Sequence, residues 1–64
     1  MILKLKEGKS VYGHPELNEQ TLRYVNAAMH EGHWHILVQD EMGLFHDVPA
    51  KMLEGVTKLD VVLE

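Results

Sequence analysis

The chain has 64 residues, a formal charge of −4, no cysteine and a hydrophobic fraction of 45%. It reads as one domain over 1–64, too apolar for disorder, without disulfides, and without the basic stripe of a dedicated nucleic-acid binder. No run approaches the ~18 apolar residues of a membrane span, and Met1–Lys6 lacks the apolar stretch of a secretory signal, so no membrane contact and a cytoplasmic setting are expected.

The first element in chain order is a strand. Leu3 and Leu5 alternate with Lys4 and Lys6, which is the period-2 pattern of a half-buried strand over Ile2–Lys6. Glu7-Gly8 suits a tight turn, and Lys9–Tyr12 reads as a short returning strand that ends before Gly13-His14-Pro15. The lysines would suit an edge strand, where charge discourages pairing with other chains.

A helix is predicted next, over Glu19–His30. Asn18 has the chemistry of an N-cap, and Glu19 lies in the first turn, where the helix dipole favours negative charge. Leu17 and Leu22 match a hydrophobic staple, while Leu22, Val25, Ala28 and Met29 fall on one helical arc. Gly32 suits the position that stops a helix.

The segment His33–Val48 is predicted to be a β-hairpin turning at Asp40-Glu41-Met42-Gly43. A type I turn closed by a left-handed Gly43 fixes the register: Val38 faces His46 and Ile36 faces Val48. One face then carries Trp34, Ile36, Val38, Leu44, His46 and Val48 and is assigned to the core. The other carries His33, His35, Leu37, Phe45 and Asp47, which is too apolar to be an idle surface and marks a candidate interaction face. Pro49–Glu54 reads as one or two helical turns stopped by Gly55, and Val56–Leu63 as a last strand.

The expected fold class is therefore α+β. It is a small two-layer domain with a mostly antiparallel sheet of four or five strands and one main helix on one face, in the order β(β)αββ, short helix, β. A domain this small buries only about 60% of its unfolded surface. Small domains often add a metal or a partner subunit.

Histidine is the chemistry-bearing residue, with five copies. On a strand, His33 and His35 point the same way about 6–7 Å apart, and with a third ligand they could hold zinc or another transition metal. Asp47 shares their face; a four-residue loop would bring His46 there instead. His30-Glu31-Gly32-His33 is not the metalloprotease motif, because its spacing is one residue short and Gly32 would break the helix. There is no cysteine, Ser10 is the only serine, and the five glycines are spaced as turn punctuation rather than as a phosphate loop.

These features point to a small non-catalytic interaction module of regulatory, accessory or inhibitor type, phage-encoded proteins included. It would associate with itself or a protein partner through a sheet face or edge, with no cofactor. Two readings compete with it. One is a single-stranded nucleic-acid binder that stacks bases on Phe45 and Trp34. The other is a histidine-based metal protein or small enzyme with a site shared between subunits.

Overall fold

The computed structural model describes residues 1–57. They form one five-stranded antiparallel sheet with strands β1 (Ile2–Leu5), β2 (Leu22–His30), β3 (His33–Gln39), β4 (Phe45–Pro49) and β5 (Leu53–Thr57). Their spatial order is β4-β3-β2-β1-β5. Two 3₁₀ turns, Pro15–Glu19 and Ala50–Met52, are the only helical elements among the described residues. The α+β expectation with a main helix is thus corrected: the domain is a small antiparallel sheet.

The segment expected to be helical is β2, and the reason is local. Tyr24 pairs with Val38 and Asn26 with Leu37, so Val25 is an extra residue on β2. Such a bulge shifts the phase of the side-chain alternation by one. Residues facing the core side are Leu22 and Tyr24 before the bulge, and Ala27 and Met29 after it. Of the predicted helical arc, only Leu22 and Met29 face the core side; Ala28 pairs with His35 on the opposite face and Val25 is the bulged residue itself.

Gly32 is not a helix stop. Glu31 (φ 52°) and Gly32 (φ 82°) are both left-handed and sit between the paired His30 and His33. This is the two-residue turn whose backbone twist matches that of paired strands.

The β3–β4 hairpin has the register expected from its turn. Val38 pairs with His46 and Ile36 with Val48. The Asp40 N–H donates to the Leu44 carbonyl at 2.8 Å, the Gly43 N–H to the Asp40 carbonyl at 3.0 Å, and Gly43 has φ 91°.

The core lies on one side of the sheet. Leu3, Leu5, Leu22, Val38, Val48 and Leu53 pack there with Leu17, which the first 3₁₀ turn inserts at 0% exposure. That turn begins at Pro15, whose fixed φ suits the first helical position. The connection from residue 6 to 21 therefore provides the cover assigned to a helix from the sequence. Asn18 is not an N-cap; its amide donates to the Lys9 carbonyl at 2.5 Å.

Smaller expectations also change. Lys9–Tyr12 forms no strand, only an isolated bridge between Val11 and His14. β1 is not an edge, because it runs between β2 and β5. The second 3₁₀ turn is shorter than expected, and Gly55 lies within β5 rather than ending a helix. The expected last strand over Val56–Leu63 falls mostly outside the described residues.

Candidate functional site

The side of the sheet opposite the core has no layer over it among the described residues. Cross-strand pairing places Arg23, Asn26, Ala28 and His30 of β2 on it. His33, His35, Leu37 and Gln39 of β3 share it, with Phe45 and Asp47 of β4. All five residues singled out in the hairpin, His33, His35, Leu37, Phe45 and Asp47, therefore lie on this open face. Phe45 is 57% exposed and Leu37 is half-buried by its neighbours.

The face has two parts. Near the β2–β3 turn it is an imidazole cluster. His33 pairs across the strands with His30, and the His30 ring meets His35 edge-on with centroids 5.3 Å apart. His35 Nδ1 lies 3.5 Å from the Asp47 carboxylate. At that separation the charges attract when His35 is protonated, but no hydrogen bond forms, and Nδ1 is buried without a partner. Toward the other end, Leu37 and Phe45 form an apolar surface beside Gln39, which accepts a hydrogen bond from Arg23.

His30 joins this cluster because the Glu31-Gly32 turn pairs it with His33, and paired residues share a face. The sequence reading placed it on a helix, and the Glu31-Gly32 turn was the one signal that could have placed it opposite His33. Among the described residues, no three His, Cys, Asp or Glu side chains come together in a group able to hold a metal ion. His33 and His35 thus share a face without gaining a third ligand there.

The strongest polar pair lies elsewhere, on the core side. His46 Nε2 is 2.7 Å from Asp40 Oδ2, and both side chains are almost fully buried. The other oxygen of Asp40 accepts the backbone N–H groups of Met42 and Leu44 at 2.8 and 2.9 Å. The hydrogen bond to His46 is the main reason the Asp40 carboxyl is held below the ordinary aspartate range; burial opposes it, and the two backbone donors add to it.

The His46 ring also meets His14 edge-on at 4.8 Å, and His14 Nδ1 lies 3.1 Å from Glu16. The Glu16 carboxyl is lowered, first by its own backbone N–H and then by His14. The partial burial of His46 follows from its position on the core face. Its pairing with Asp40 was missed, although Asp40 at the start of a tight turn two strand positions away was a readable signal.

This pair resembles an acid–base dyad only in composition. Every oxygen of Asp40 is engaged in the turn or by His46. Ser10, the only serine, lies exposed in the 6–14 loop. Among the described residues the hydrogen bonds of this pair tie the hairpin turn to β4. No helix among the described residues is long and apolar enough to cross a membrane. Compared with family models, curated proteins and solved structures, the chain gives no match, so its function rests on the chemistry of these surfaces.

Proposed function

We propose that this protein is a non-catalytic interaction module that docks through the open face of β2, β3 and β4. A second copy of the same chain is its first candidate partner. The observation that carries this reading is the one-sided core: the opposite face leaves Phe45 57% exposed beside Leu37, with three imidazoles on the same surface. Covering an aromatic and an aliphatic side chain contributes about 1.5–3 kcal/mol each when burial is complete. The flanking histidines supply hydrogen-bond donors and acceptors that can pair across an interface. The absence of cysteine suits a cytoplasmic protein.

Sedimentation velocity over a range of concentrations tests this reading. Self-association that is lost in Phe45→Lys supports it. A strict monomer whose Leu37 and Phe45 NMR signals do not move with concentration removes the self-association reading.

A second reading has its own support. Arg23 and, by the alternation of β1, Lys4 lie on the same face as Phe45, an arrangement that suits stacking and phosphate contact with single-stranded nucleic acid. Salt-dependent binding of a fluorescent oligothymidine that Arg23→Glu abolishes would favour it over the protein partner.

A further inference from the structure

The β3 strand is longer than its neighbour. β4 ends at Pro49, which pairs with His35, and the chain then turns away through Ala50–Met52. This leaves a half-open cleft of about 460 Å³ beside the beginning of β3. His33, Trp34 and His35 form one wall; Pro49, Ala50 and Lys51 form the other. The volume lies within the range of about 300–1,000 Å³ typical of ligand sites.

Two observations describe what this cleft would accept. The first is apolar contact: the Trp34 indole is 56% exposed and stands across from Pro49 and Ala50. The second is charge. The chain carries −4, yet Lys51 and two histidines line the cleft, and no carboxylate does among the described residues.

We infer that this cleft is a second docking site, which takes a peptide segment of a partner protein carrying an apolar side chain beside a carboxylate. The segment's apolar side chain lies against Trp34 and Pro49. Its carboxylate meets Lys51 and His33 at the rim, where charge complementarity selects among partners. The cleft shares His33 and His35 with the open face but not Leu37 or Phe45, so Trp34→Ala and Phe45→Lys report on the two readings separately.

The test is selection from a random peptide display library on the immobilised full chain. Calorimetry of a selected peptide follows, with the wild type and with Trp34→Ala, Lys51→Glu and Phe45→Lys. Enriched peptides should combine Asp or Glu with an aliphatic or aromatic residue. Binding should quench Trp34, the only tryptophan. Lys51→Glu should weaken affinity about tenfold or more, Trp34→Ala should abolish it, and Phe45→Lys should leave it unchanged. Both cleft substitutions fall on exposed side chains, so each variant is expected to melt as the wild type does. Enrichment of basic peptides, no enrichment, or binding that survives Lys51→Glu and Trp34→Ala overturns the inference.

Discussion

His46 holds Asp40 by a 2.7 Å contact to one carboxylate oxygen while the other oxygen caps the hairpin turn that joins their strands. The two roles are separable. Asparagine at position 40 keeps an oxygen for the N–H groups of Met42 and Leu44 and loses only the negative charge facing His46. Alanine loses both. The Asp40 carboxyl is lowered in the folded state. Its contribution is therefore fully present above the unfolded aspartate value of about 3.9 and is lost as pH falls through the lower folded value. Urea unfolding between about pH 3 and pH 7 should show wild-type stability falling at the acid end. Asp40→Asn should flatten that fall and keep the hairpin amides protected from hydrogen exchange. Asp40→Ala should also lose the protection of Met42 and Leu44. An unchanged acid limb in Asp40→Asn would mean that other carboxylates, Glu16 among them, carry it.

The turn between β2 and β3 offers a test of the backbone alone. Glu31 occupies a left-handed conformation at φ 52°, where a side chain with a β-carbon costs about 1–2 kcal/mol and asparagine less. Glu31→Asn should stabilise the protein by up to about 1 kcal/mol, because asparagine followed by glycine is the favoured pair for this turn. Gly32→Val should destabilise it by about 1–2 kcal/mol or more. An added β-carbon at Gly32 would meet nothing within 4 Å, so the cost is conformational rather than steric contact with neighbours. Chemical denaturation of both variants measures the difference.

Leu17 should be the most sensitive residue in the 6–21 connection. It is fully buried in the core, whereas Tyr12 of the same connection is 99% exposed. Leu17→Ala should cost about 2–5 kcal/mol. Tyr12→Ala should stay within about 0.5 kcal/mol. If both substitutions cost the same small amount by thermal melting, the connection does not cover the core as described.

Phe45→Lys should separate folding from association. The ring stands on the open face and packs little within the chain, so the melting temperature of the dilute protein should barely change. Self-association measured by sedimentation should weaken at least tenfold, the equivalent of about 1.4 kcal/mol. Arg23→Gln, on the same face but tied to Gln39 through a hydrogen bond, should weaken association less.

How far the sequence was legible depended on how local the deciding interaction was. The β3–β4 hairpin could be read because a four-residue turn with glycine at its left-handed position sets the register by itself. β1 could be read because Leu3 and Leu5 alternate with lysines. β2 could not, because Val25 interrupts its alternation and no residue type announces a bulge. The place of β5 beside β1 joins residues some fifty positions apart, as in Leu3 with Gly55, and no local pattern encodes that pairing. The candidate surface divides along the same line. His33, His35, Leu37, Phe45 and Asp47 share a face because one hairpin places them there. His30 and the cleft at Trp34 depended on a strand mistaken for a helix and on a neighbour that stops short.

Val25 does more than interrupt a pattern. Residues before it follow the parity of the hydrophobic body, and residues after it follow the opposite parity out to the β2–β3 turn. Because paired residues share a face, removing that one residue with pairing to β3 kept would leave Tyr24 with Val38, Asn26 with Leu37 and His30 with His33, and only the local bend of the strand would be lost. The bulge thus lets β2 carry one residue more than its partner without passing the change on to either surface. The composition of the open face is in this way uncoupled from the number of residues that lead into it.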